Sequence, residues 1–406
     1  MKNSCLLLVM TLFAVLPFAS CEAPANTDPG FTYEDWLEST MPAKLTDAMD
    51  WIKVHGVPCR TYTIVLKANE TISFPFQLYN DRTLTGVTII LKGDGVERTI
   101  ELDNRGNYPS PFDISGLTLI LDENITLRRN GSGGGALVRV WNGGILEMRD
   151  GAKISGGGVS VDGVYLNGSS GNSTFIMNGG VISGNTASYG GGGGVYVNGS
   201  SGNSTFIMNG GVISGNTASY GGGGVYVNGS SGNSTFIMNG GVISGNTTTS
   251  YIVGGGGGVS VSVSGTFTMN GGVISGNTAS DGGGGGVSVS VSGTFTMNDG
   301  VISGNTASDG GGVYVSGGTF TMNDGVISGN TASGGGGGVS VGGGTFTKSG
   351  PSIIYGDNAS GIEKNTASSG NGHAVYYWWS SSKKRNATLG AGVNLSTNDL
   401  ITNWDP

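Results

Sequence analysis

Seven phenylalanines, Phe175, Phe206, Phe236, Phe267, Phe295, Phe320 and Phe346, return at intervals of 31, 30, 31, 28, 25 and 26 residues, each within nearly the same phrase. Repetition at a period of roughly 20 to 50 residues signals stacked supersecondary units, because one such unit cannot bury its own apolar face. Each unit here holds three short β-prone pieces, for example Val287 to Val291, Thr294 to Met297 and Val301 to Ser303, parted by Gly, Asn or Asp turns. Three strands with a turn at each corner make one coil of a right-handed parallel β-helix, an all-β solenoid. The 81 glycines in 406 residues are nearly three times the usual ~7%. They come in blocks, which excludes collagen, and Val-Ser-Val alternation recurs between them, which a flexible linker lacks.

Alternation assigns faces. Val287, Val289, Phe295, Met297 and Ile302 are expected inside; Ser288, Thr294, Thr296 and the Tyr314 type of position are expected outside. Coils stacked ~4.8 Å apart turn equivalent residues into ladders. A Phe column follows, with one Asn column from Asn178 to Asn323 and a second from Asn185 to Asn330, in which side-chain amides bond to one another. Glycine runs of different length, Gly282 to Gly286 against Gly310 to Gly312, look like corners that tolerate insertion.

A solenoid needs covered ends. In LTDAMDWIKVH, Leu45, Ala48, Met49 and Ile52 share one helical face, suited to a short N-terminal helical cap. The expected divisions are an export signal over 1–20, a linker, cap and irregular first coils over 21–115, the repeat β-helix over 116–349, and C-terminal coils and cap over 350–406. HAVYYWW keeps the in/out pattern of GVYV, and KKRNATLGAGVNLS with ITNWDP supplies a closing strand and tail.

MKNSCLLLVMTLFAVLPFASC has one early cation, Lys2, an apolar run from Leu6 to Phe18 and a small-residue ending, the layout of an export signal. The ending resembles a bacterial lipobox, which implies that Cys21 becomes the lipidated N-terminus. Cys5 then leaves with the signal, Cys59 has no partner and reads as a small packing residue, and no disulfide framework is expected. This places the chain outside the cytoplasm, anchored to the outer membrane or displayed at the cell surface. A net charge of -8 and a pI near 4.7 exclude the basic footprint of a nucleic-acid partner.

The Phe-x-x-Asn phrase, from Phe175/Asn178 to Phe320/Asn323, beside Gly-Gly-Val resembles the repeat of chlamydial polymorphic outer-membrane proteins. WIKVHGVPCRTYTIVL, LTLILDENITL and SSSKKRNATLGAGVNL look still more like Treponema-type surface lipoproteins built from such repeats. The resemblance implies a right-handed β-helix, adhesion and surface display, with a host surface protein or glycan as partner. The chlamydial proteins end in a membrane β-barrel, a segment absent from this sequence, so the lipid takes the barrel's place.

Pectate lyases and polygalacturonases share the pectin-lyase-like solenoid, so catalysis has to be weighed. Polysaccharide cleavage needs clustered carboxylates, or calcium ligands with a cationic base. Between Ile154 and Thr347 the acids are Asp162, Asp281, Asp299, Asp309 and Asp324, with no Glu, His, Lys or Arg. The chain therefore reads as no enzyme, with no cofactor. Asp299 and Asp324 hold the same repeat position one coil apart and are weak metal candidates against a plainer role as turn residues. Thr266/Thr268, Thr294/Thr296, Thr319/Thr321 and Thr345/Thr347 offer a hydroxyl array that could order water or ice, though Thr is also a good exposed strand former. Tyr196, Tyr226, Tyr314, Tyr376 and Trp378 could stack on sugars or a host protein, or serve as surface packing. Lys383, Lys384 and Arg385 read as a solvated end, and His55 and His373 are too isolated to ligate a metal.

Overall fold

The computed structural model describes residues 44–72, 76–79, 86–103, 112–130, 136–156, 164–167, 171–188, 191–199, 202–230, 232–249, 254–280, 282–378, 383–393 and 395–396. The export segment, Cys21, Asp162, Asp281 and the ITNWDP tail lie outside these residues. Helix α1 (Leu45–His55) opens the fold and buries Leu45, Ala48, Met49 and Ile52, the face its sequence spacing defines. Lys44 provides no side-chain cap. Both Glu70 carboxylate oxygens instead accept the Leu45 N–H at 3.0 Å, so the first coil pins the helix that covers it. The Tyr62 hydroxyl accepts the Val57 N–H at 2.7 Å just beyond the helix.

The body is a parallel β-helix. Sheets of 12, 11 and 12 strands run its length, each strand pairing with its equivalent one coil away. Register is one to one: Phe267 opposes Phe295, Ile274 opposes Ile302 and Val259 opposes Val287. In-register pairing superimposes the rings. From Phe175 to Phe320 successive Phe centroids stand 4.6–4.7 Å apart with planes within 7° of parallel. The columns of Phe, Met, Ile and Val are fully buried, as alternation requires.

A fourth sheet escapes the three-strand reading. Seven two-residue strands, from Thr186–Ala187 to Thr366–Ala367, pair in their own parallel stack. Two residues display no periodicity, so alternation could not reveal them. Each follows the inner Asn column, which fixes the corner. Asn277 Nδ2 donates to Asn305 Oδ1 and to Ile243 O, both at 3.0 Å, and its Oδ1 accepts Asn246 N (2.9 Å) and Asn246 Nδ2 (3.0 Å). This buried ladder extends beyond Asn330 to Asn365. The outer column runs in the opposite sense: Asn270 Nδ2 donates back to exposed Asn239 Oδ1 at 2.9 Å.

Three expectations need correcting. Ser288 is fully buried and Tyr314 is only 7% exposed, although both point away from the core. The cause is the glycine runs, which fold back over the outer side of the Val strands. A Cβ on Gly284 would lie 1.9 Å from Val287 O, and one on Gly335 would lie 2.3 Å from the Tyr376 ring. Accordingly, the runs are fitted covers as much as corners open to insertion. Next, Cys59 is disulfide-bonded, with its partner outside the described residues; it is not an unpartnered packing residue. Lys383–Arg385 is a strand that pairs antiparallel with Val375–Tyr377, the closing strand expected of this segment.

Antiparallel pairing ends the stack a second time, where Leu395–Ser396 meets Gly344–Lys348. Lys348 takes the Met position of the last repeat, opposite Met322, and is fully buried. Its Nζ donates to Gly390 O (3.1 Å) and Val393 O (2.8 Å), tying the closing segment to the core. Burial pulls its pKa below the ordinary lysine value.

Candidate functional site

Function must come from outward positions, since the interior repeats without reactive groups. The outer side of the Val sheet carries one register column, in which Tyr196, Tyr226, Ser260, Ser288, Tyr314, Ser340 and Tyr376 succeed one another. The aromatic candidates divide along it. Tyr196 and Tyr226 stack at 5.1 Å, and the Tyr196 hydroxyl accepts Asn228 Nδ2 at 3.2 Å. Tyr226, 5% exposed, shares a 2.8 Å hydrogen bond with Ser262 Oγ, and burial raises its pKa as it does that of Tyr314. Tyr226 and Tyr314 are packed beneath glycine covers and are almost wholly buried.

Tyr376 and Trp378 are different. Their centroids stand 6.1 Å apart with planes at 59°, and Trp378 is 48% exposed. Trp378 Nε1 donates to Ser340 Oγ at 3.2 Å, which orients the indole. They form one wall of an open cleft of about 450 Å³ that crosses the corners of three successive coils. Ser308 and Asp309 come from one coil, Ser333 to Gly335 from the next, and Ser369 and Asn371 from the third. Such a volume falls within the range of small-molecule sites, roughly 300–1,000 Å³.

Asp309 is half-buried in this cleft. Burial raises its pKa above the ordinary carboxylate value, opposed by the Gly335 N–H, which donates to Oδ1 at 3.3 Å. Gly334 N donates to Ser308 O at 2.7 Å, and Ser369 Oγ donates to Gly334 O, so the floor is tied to both walls. Asp309 is one acid among five between Ile154 and Thr347. What could have singled it out is register, because Gly335 stands one coil beyond it and Tyr376 faces that glycine.

Asp299 and Asp324 sit in equivalent turns, but each accepts the N–H of its own following glycine at 2.7 Å. Among the described residues no group of three or more His, Cys, Asp or Glu is placed to hold a metal ion. The Thr pairs do align in register, Thr294 with Thr319 and Thr296 with Thr321, on a half-exposed face. His55 stacks on Trp51 at 4.9 Å, and His373 Nδ1 accepts Ala367 N at 3.2 Å, so both serve local packing. Set against known protein families, curated proteins and solved structures, the chain matches none.

Proposed function

We propose that the chain is a non-enzymatic, extracytoplasmic lipoprotein, adhesin-like or structural, that displays a β-helix from the outer membrane or cell surface. The observation that carries this reading is the uniformity of the repeated coils: an identical interior repeated in register, with Thr, Ser and Asn toward solvent. Such coils add length and surface without adding a reaction centre. The Phe-x-x-Asn resemblance to chlamydial surface proteins points the same way. One carboxylate lines the cleft among the described residues, whereas glycoside hydrolysis ordinarily uses a pair.

No helix among the described residues is long and apolar enough to cross a membrane, and in this reading attachment comes from acylation of Cys21. A cysteine sulfur carries a thioether or a disulfide, never both. A chain that starts at acylated Cys21 has also shed Cys5, so the Cys59 disulfide and the lipid belong to different forms of a chain with three cysteines. Intact-mass spectrometry of protein extracted from the producing bacterium distinguishes them, and proteolysis of intact cells reports exposure. The expected results are a diacylglyceryl group on Cys21 and cleavage by external protease. A mature chain with unmodified Cys21 joined to Cys59, shielded from protease in intact cells, contradicts the proposal.

A further inference from the structure

The geometry points to a saccharide-binding site in the cleft between Asp309 and Trp378, with a neutral sugar ring as its occupant. A pyranose has a face of C–H groups and a rim of hydroxyls. The C–H face suits the half-exposed indole, whose π cloud attracts the weakly positive hydrogens. The rim meets Asp309, Asn371, Ser308 and Ser333, a carboxyl, an amide and two hydroxyls that together accept and donate. These groups are held before any ligand arrives: Trp378 by Ser340, Tyr376 against the Gly335 backbone, and Asp309 by the Gly335 N–H. Preorganisation lowers the entropic cost of binding.

Charge and topology narrow the class. The described side chains lining the cleft include one carboxyl and no cation, which disfavours uronic and sialic acids. An extended peptide would seek a free strand edge. Val339–Val341, the strand beneath the cleft, already pairs on both sides, with Val313–Ser316 and with Val375–Tyr377. This inference supplies a ligand class for the adhesin-like reading and rests on it for its biological sense. A binding assay on purified protein is blind to anchoring, so failure here and failure of surface display are separate results.

The test is calorimetric and fluorescence titration of the purified full-length chain with cellohexaose, maltohexaose and mannohexaose, with an oligogalacturonate as anionic control. At least one neutral hexaose should bind with a Kd below ~5 mM. Trp378→Ala should weaken that binding about tenfold or more, Trp378→Phe should retain most of it, and Asp309→Ala should cost a few-fold. Since Trp378 is half-exposed, its variants are expected to unfold at the parent's midpoint, which is checked alongside. No binding by any neutral hexaose at ~10 mM, equal binding by Trp378→Ala, or a preference for the oligogalacturonate overturns the proposal.

Discussion

The first coils and the repeated coils solve the same stacking problem with different chemistry. Over 88–155 the interior is mostly Leu and Ile, with Phe112, Met148 and Val among them, and coils are joined outside by individual ion pairs. Arg139 forks onto buried Asp113 at 2.6 Å and Arg128 reaches Glu101 at 2.9 Å, each one coil away, while Lys153 reaches past one coil to Glu97 at 2.6 Å. Over 173–346 those roles pass to uncharged ladders, Phe on Phe and Asn on Asn. An ion pair joins one particular coil to another, whereas a ladder joins any coil to its copy. The first coils are therefore fixed in order, and the repeated coils are interchangeable. The near-identity of residues 167–197 and 198–227 is what duplication of such a unit leaves behind.

Loss of a ladder member should have the largest single-residue effect. Asn277→Ala leaves the Asn246 N–H and one Asn246 amide proton buried without partners, removes one donor from the Ile243 carbonyl, and should cost about 3–5 kcal/mol in denaturant unfolding. Phe267→Ala should cost a similar ~3–5 kcal/mol. A loss below ~1 kcal/mol for both would mean that the ladders decorate the stack without holding it.

The closing segment gives a pH-dependent effect. Lys348 has its pKa lowered in the fold, so the unfolded chain binds more protons between that value and 10.5. Its contribution should accordingly become more favourable as pH rises through the folded pKa toward 10.5, and the penalty is fully present below that window. Hydrogen exchange of 383–396 should slow accordingly, beyond the intrinsic rate change. Lys348→Met should erase this pH dependence, and should speed exchange there because Gly390 O and Val393 O lose their donor.

Thr248 replaces the Ala of the fourth sheet, and its buried hydroxyl has no partner among the described residues. Thr248→Val keeps the shape and should stabilise by about 1 kcal/mol, read as a raised unfolding midpoint. The smallest effects belong to the surface. Lys153→Ala should cost ~0.5 kcal/mol and lose that cost in high salt, since the pair is half-exposed. Asn270→Ala in the outer ladder should cost ~1 kcal/mol, insensitive to salt.

Much of this contrast was legible in the residues. A period-2 pattern states which side chains face inward, so the Phe, Met, Ile and Val columns and both Asn columns were readable. It cannot say what lies over an outward side chain. Tyr226, Tyr314 and Ser288 are buried because glycines fold over them, and a run of Gly carries no pattern to announce that. The cleft was half legible. Tyr376 and Trp378 stood out as aromatics, but Asp309 joins them only because three corners of unequal length meet. Lys348 shows the same limit in reverse, a charge at a core position whose partners are carbonyls of the closing segment.

Paired deletions test the interchangeability of the coils most directly. Removing residues 198–227 joins Val197 to Asn228, a junction the repeat already contains, whereas removing 89–118 joins Thr88 to Leu119 and erases one irregular coil with its Asp113 partner for Arg139. The first deletion should leave a cooperatively unfolding protein, shorter by one strand spacing of ~4.8 Å in small-angle scattering, and the second should destroy cooperative unfolding. Equal damage from both deletions would contradict the distinction between fixed and exchangeable coils.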